Sequence, residues 1–160
     1  MKIYLEAALR ATKKTICLIE GITDNTKFDV VKSDLQDALL GLAHYVGDVY
    51  GRKQQYWDTL SEEDKCFLLA FIYLNNQLKH DCSLHFFYFE VCGSMFPMRF
   101  PFRFGTPGIY WSDFENHERH SPPLRPYYDQ HLKDKDIKVS LGRLQVILAT
   151  ISEIVRGEPP

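Results

Sequence analysis

Residues 59 to 80 constrain the fold most, because they describe a helix that is apolar on two sides. Phe67, Phe71, Leu74 and Leu78 step by four, three and four to make one stripe. At about 100° per residue, Leu69, Ile72 and Tyr73 lie on roughly the opposite side, and Asn76 and His80 continue that second side. Thr59-Leu60-Ser61-Glu62-Glu63-Asp64 ahead of it has the pattern of a capping box with acids in the first turn. A helix that is apolar on two faces sits in the middle of a bundle or turns its second face to a partner.

Three further segments have the helical period. Residues 2 to 21 place Leu5, Ala8, Leu9, Ile16 and Ile19 on one face, interrupted by Thr12, with Gly21 as the stop. Asp24 to Thr26 supply caps for a helix over roughly 27 to 50, whose Phe28, Val31, Leu35, Leu39, Leu42, Val46 and Val49 step by three and four. Gly41 and Gly47 each weaken that helix by about 1 kcal/mol, which predicts close packing against a neighbour. The last helix spans roughly 137 to 156 on Ile137, Leu141, Leu144, Leu148, Ile151 and Val155, and ends at Gly157.

Between the third and last helices the period changes. Leu84 to Val91 is β-prone, Gly93-Ser94 can turn it, and Phe96, Met98, Phe100, Phe102 and Phe104 alternate with Pro97, Arg99, Pro101 and Arg103. The two prolines confine that second run to an edge. Ile109 to Trp111 offers a short third strand, and 112 to 130, with Pro122, Pro123 and Pro126, reads as an irregular loop. The expected fold is therefore mainly α: one domain over residues 1 to 160, a four-helix up-and-down-type bundle with a small antiparallel β insertion at about 84 to 111 before the last helix.

Composition excludes several classes of protein. With 19 basic and 21 acidic side chains split evenly between the halves, no global field calls for nucleic acid or a membrane surface, although a local basic site stays open. No apolar run approaches the ~20 residues of a membrane span. Met1-Lys2 leads straight into an amphipathic segment with no targeting signal. The four cysteines form no CxxC pair, and Cys17 and Cys66 fall within apolar helical patterns where a buried free thiol is usual. The expected setting is reducing and cytoplasmic. No phosphate loop, dinucleotide fingerprint or nucleophile elbow occurs, so no cofactor is expected.

The residues that can carry chemistry are few. Asn76 and His80, four apart, share a helix face, and an imidazole beside an amide can move a proton and orient a phosphate. The same Asn/Lys/His cluster is also what a helix C-terminus attracts as caps and dipole partners. Arg99 and Arg103 share one face of an aromatic strand, where they either grip phosphate or keep a sheet edge wet. Arg125 and His131 make a second basic–imidazole pair, with Pro126 against a shared helix. Asp113, Glu115, His117, Glu118 and His120 are potential metal ligands, yet no second ligand pair stands at zinc-like spacing, so no metal site is assigned.

Leu74-Asn75-Asn76-Gln77-Leu78-Lys79-His80-Asp81 resembles the signature of HEPN domains, the small helical bundles of prokaryotic toxin–antitoxin, abortive-infection and CRISPR-associated systems. That signature is Arg-Asn-xxx-His near the end of a central helix; Asn76 and His80 match it, and Asn75 stands where the arginine would be. The resemblance implies a cytoplasmic homodimer whose paired motifs face each other across a cleft, with RNA and an antitoxin or defence-system protein as partners. If the site is active, the resemblance makes it a metal-independent endoribonuclease, with His80 as acid/base, Asn76 orienting it or the phosphate, and Lys79 binding phosphate; Arg99 and Arg103 stay candidate phosphate contacts on the strength of their strand face. A lysine reproduces the missing guanidinium only as a point charge, and Lys79 points about 60° from Asn76, so the departure implies degenerate catalysis. The alternative is a non-enzymatic helical interaction module. A metal-assisted hydrolase built on the 113–120 loop is a third reading.

Overall fold

The computed structural model describes residues 1–79, 86–89, 107–114 and 121–157. It is mainly α, with four long helices: α1 (Lys2–Glu20), α2 (Asn25–Tyr50), α3 (Glu62–Lys79) and, last in the chain, α5 (Ile137–Arg156). A short helix, α4 (Arg125–His131), precedes α5, and two short strands, β1 (Phe86–Phe89) and β2 (Gly108–Trp111), stand between α3 and α4.

Three of the long helices, α2, α3 and α5, start where a side chain satisfies a first orphan N–H group. Asp24 accepts from the Lys27 N–H at 2.9 Å, Ser61 Oγ from the Asp64 N–H at 3.1 Å, and Asp136 from the Val139 N–H at 2.9 Å. Gly157, at φ 74, ends α5 in the left-handed conformation that a β-carbon would oppose.

The expected central helix is α3. From Phe67 to Gln77 all its residues but Leu69 and Asn76 are buried, and it packs between α2 and α4. Beyond it α2 packs on α1, and α1 on α5, so one hydrophobic core runs through all the helices. Thr12, which breaks the apolar stripe of α1, is fully buried all the same, as is Thr15. Their hydroxyls donate to the Ala8 and Ala11 carbonyls at 2.8 Å, which removes the penalty of burying them.

β1 and β2 pair antiparallel, Phe86 opposite Trp111 and Phe89 opposite Gly108. The free edge of β2 is tied to the approach to α5: the Trp111 N–H donates to the Lys135 carbonyl at 3.1 Å, and the Asp134 N–H to the Trp111 carbonyl at 3.0 Å. Gly108 has no room for a β-carbon, which would lie 2.6 Å from Asp136 Oδ2. Of the expected β insertion, the run 96–104 lies outside the described residues.

Four expectations are corrected. Residues 112–130 are not all irregular, because Pro122–Leu124 forms a 3-10 turn and α4 begins at Arg125. Pro126 falls in the first turn of α4, where its missing N–H would have had no partner, so it starts this helix instead of breaking it. Cys17 is exposed, not buried, and Cys66 is only half-buried; both are free thiols. Of the two glycines of α2, only Gly47 is closely packed; a β-carbon on Gly41 would meet nothing within 4 Å. No helix among the described residues is long and apolar enough to cross a membrane.

Candidate functional site

The last turns of α3 send their polar side chains to two different flanks. On the first, Asn76 Nδ2 donates to Ser121 Oγ at 2.9 Å. Ser121 has φ 51, a left-handed conformation that is costly for a residue with a β-carbon, and it stands directly before the 3-10 turn that leads into α4. The Asn76 amide therefore anchors the entry to α4.

One turn earlier on the same flank is Tyr73, fully buried, with Arg125 above it. The guanidinium lies 6.0 Å from the ring centroid, and Nη1 is 3.5 Å from Tyr73 Oη. Arg125 Nε reaches both oxygens of Asp129, at 2.8 and 2.9 Å, and Nη2 reaches Asp113 Oδ1 at 2.7 Å. Lys133 Nζ completes the set at 2.7 Å from Asp113 Oδ2. Two cations thus meet two carboxylates.

Burial pushes the Asp113 carboxyl up, but the Lys133 and Phe114 N–H bonds and the charge of Arg125 more than offset it and hold it below the usual carboxylate range. Desolvation opposes the charge on Arg125, and the bonds to Asp129 and Tyr73 restore it and raise its pKa further. Burial raises the Tyr73 phenol, which stays protonated. Below this network Tyr128 Oη donates to the Ser112 carbonyl at 2.6 Å.

Arg125 and His131 do share a helix, but six residues turn them about 120° apart. His131 packs edge-on to Phe67, with ring centroids 6.1 Å apart, and its Nε2 is buried with no hydrogen-bond partner. Burial and the neighbouring Arg143 charge hold its pKa below the ordinary imidazole value. This second basic–imidazole pair therefore does not converge on one site.

The second flank carries Asn75 and Lys79. Asn75 is buried against Gly47 of α2, so closely that a β-carbon at 47 would run into its Nδ2. An arginine in place of Asn75 would have to displace that contact. Beyond Asn75 the surface opens. Asn75 and Lys79 line a concavity of about 450 Å³ with Gly41, His44 and Tyr45 of α2. A second concavity of about 480 Å³ shares Gly41 and Tyr45 and reaches Arg10 and Lys14 of α1 and Asp37 of α2. The two concavities adjoin at Gly41 and Tyr45 of α2, one toward α1 and the other toward α3. Arg10, Lys14 and Lys79 have no ion-pair partner among the described residues, and Asp37 is the only carboxylate in the lining.

Of the residues singled out in the sequence, Asn76 and Lys79 fall on different flanks; His80, Arg99, Arg103 and residues 115–120 lie outside the described residues. Asp113, from the candidate metal loop, is held by Arg125 and Lys133. Among the described residues no group of three His, Cys, Asp or Glu side chains is arranged to hold a metal ion. Sequence reasoning missed Arg10, Lys14, His44 and Tyr45. The signal was present as cations at 10, 13 and 14 on the solvent side of α1 and an aromatic off the buried stripe of α2. No family model, curated protein or solved structure matches this chain.

Proposed function

We propose that this chain is an RNA-associated helical protein of the HEPN type, serving a prokaryotic defence or toxin–antitoxin system in the cytoplasm, with a degenerate catalytic signature. The observation that carries RNA association is the pair of adjoining concavities beside the signature turn. Among the described residues, three cations without ion-pair partners and a single carboxylate line them, with Tyr45 exposed between them as a platform for a base. Degeneracy is supported by Asn75: the guanidinium position of the signature is filled by an amide locked on Gly47. Arg125 of α4, which packs over Tyr73 of α3, is neutralised by Asp113 and Asp129 and is no free phosphate clamp. Losing one transition-state donor costs ~10²–10³ in rate, so any residual cleavage is slow, metal-independent and dependent on His80.

The test is fluorescence anisotropy of a labelled single-stranded RNA across a salt series, with cleavage followed in EDTA. Salt-sensitive binding is expected, and replacing both Arg10 and Lys14 by alanine should flatten the log–log salt slope by about 1.4. Cleavage should be slow or absent, and lost altogether in His80→Ala. RNA binding that is undetectable at low salt, or unaltered by the double substitution, overturns this reading.

One observation favours the second reading, a non-enzymatic interaction module. Asn76, the signature amide, already spends a donor on Ser121 within its own chain. An Asn76→Ala variant that binds RNA normally but loses thermal stability supports that structural assignment of the residue.

A further inference from the structure

Three arginines among the described residues are held in place by contacts of their own chain, and they are not held alike. Arg125 meets Asp113 and Asp129, and Arg143 meets Glu63 and Asp64. Arg52, two residues beyond α2, meets no carboxylate among the described residues. Its guanidinium carbon lies 3.7 Å from the centre of the Tyr4 ring of α1, and Nη1 donates to the carbonyl of Asp48, not to its carboxylate, at 2.9 Å. A guanidinium offers five N–H donors in a rigid fork, and among the described residues Arg52 uses one. Stacking on a ring fixes the orientation of a cation without neutralising it, which leaves the fork aimed and still able to take a phosphate. The next residue repeats the pattern. Lys53 Nζ donates to Tyr50 Oη at 2.8 Å and lies 4.3 Å from the Tyr50 ring centre and 5.6 Å from that of Trp57, again with no carboxylate among the described residues.

Tyr4 places this arginine relative to the concavity on the α1 side. Tyr4, Ala7, Ala11 and Lys14 step by three, four and three along one face of α1, and the last three line that concavity with Arg10 and with Ala38, Gly41 and Tyr45 of α2. Arg52 therefore stands at one end of the α1–α2 seam and Lys14 toward the other, with Arg10 and Tyr45 between them. The small side chains at 7, 11, 38 and 41 let the backbone of a ligand come close to both helices. Ten residues of α1, or about 15 Å, separate Tyr4 from Lys14. At ~3.4 Å for each stacked nucleotide, about four nucleotides cover that length.

We infer that a single RNA strand lies along this seam, from Lys14 past Arg10 and Tyr45 to Arg52, which binds its last backbone phosphate, a path that rests on the RNA reading above and adds to it a line, a length and an end contact. The strand is unpaired, because Tyr45 can stack only on a base whose face is free, whereas a duplex keeps its bases stacked on one another. Arg52, fixed by Tyr4 before the strand arrives, loses little side-chain freedom on binding.

Calorimetric titration of the full chain at low salt with oligouridylates of two, four and eight nucleotides tests the path, with circular dichroism to confirm that each variant is folded. Affinity should rise steeply from two to four nucleotides and little from four to eight, with one four-nucleotide strand bound per chain. Arg52→Gln should weaken the four-nucleotide strand about tenfold and flatten its log–log salt slope by about 0.7, the share of one phosphate. Arg52→Lys should keep the slope while losing part of the affinity, because a lysine restores the charge and not the stacked fork. A blunt RNA duplex should compete at least tenfold less well than the single strand. If Arg10→Ala with Lys14→Ala weakens the strand and Arg52→Gln leaves it unchanged, the path is overturned and the RNA reading stands. A second strand per chain that disappears in Arg52→Gln makes Arg52 a separate site and overturns the path as well, as does a duplex that competes equally. Failure of every strand to bind removes both the path and the RNA reading.

Discussion

The two flanks of the α3 C-terminal turns carry similar side chains and treat them in opposite ways. On the Tyr73–Asn76 flank every charge has a near partner: Arg125 and Lys133 face Asp113 and Asp129, and the amide of Asn76 is bonded to Ser121. On the Asn75–Lys79 flank the buried Asn75 is packed on Gly47, while the cations beyond it have no ion-pair partner among the described residues and line open concavities. The difference separates what polar residues do for the fold from what they offer to a ligand. A closed, neutral network holds α4 and the loop before it against α3. The open flank does little for stability and leaves its charges available to an anion.

The sharpest way to break that contrast is Arg125→Ala. The Arg125 side chain is 16% exposed and serves two carboxylates, so its removal leaves Asp113 and Asp129 short of a cation in a partly desolvated place. A loss of about 2–3 kcal/mol is expected from urea unfolding, below the full value for a deeply buried pair because both acids stay in partial contact with water. RNA affinity of the folded variant should be unchanged. A large loss of affinity with little loss of stability would move the binding surface to this flank.

The two glycines of α2 sharpen the comparison further, because the same substitution should act with opposite sign. Gly47→Ala drives a β-carbon into the Asn75 amide and should cost about 1–3 kcal/mol. Gly41→Ala meets nothing within 4 Å and should stabilise α2 by up to about 1 kcal/mol through helix propensity alone. It also narrows the surface where the two concavities adjoin, so RNA binding should weaken while the melting temperature rises. If both substitutions stabilise, Asn75 is not held as tightly as its contact with Gly47 requires.

How far the sequence carries this contrast depends on which kind of information each part needs. The four long helices were legible because apolar spacing and caps are local: Asp24, Ser61 and Gly157 mark ends that the structure keeps. So was the central position of α3, since only a surrounded helix is apolar on two sides. Helix α4 was not legible, because Pro126 signals a break unless one knows that a helix begins one residue earlier. Thr12 looked like an interruption because the Ala8 carbonyl that satisfies it is a backbone group. At the candidate site, the sequence pointed to the C-terminal end of α3 but not to the flank each amide takes. Asn75 and Asn76 are adjacent and about 100° apart, and only the positions of Gly47 and Ser121 decide which is packed and which is bonded across the chain. Nor does spacing reveal which cations lack partners: Arg125 and Arg10 look alike in one dimension and are opposites in three.

The smallest expected effect concerns His131, at the far end of α4 from Arg125, and it tests whether the closed flank is closed to protons as well. Its imidazole is held below its ordinary pKa first by burial and then by the Arg143 charge; Lys135 adds to the depression and Glu63 opposes it. Nε2 has no hydrogen-bond partner with which to share a proton. The unfolded chain takes that proton as pH falls through about 6.5, whereas the folded chain takes it only at lower pH. Stability is therefore unaffected by this group above about pH 6.5 and declines as pH falls below it, until the folded-state pKa is passed. Thermal melts between pH 7.5 and pH 5 should show that decline in the wild type and a shallower one in His131→Gln, which cannot titrate. Equal slopes in the two proteins would mean that the folded chain protonates His131 as readily as the unfolded one, and that water and charge reach this flank as freely as they reach the open concavities.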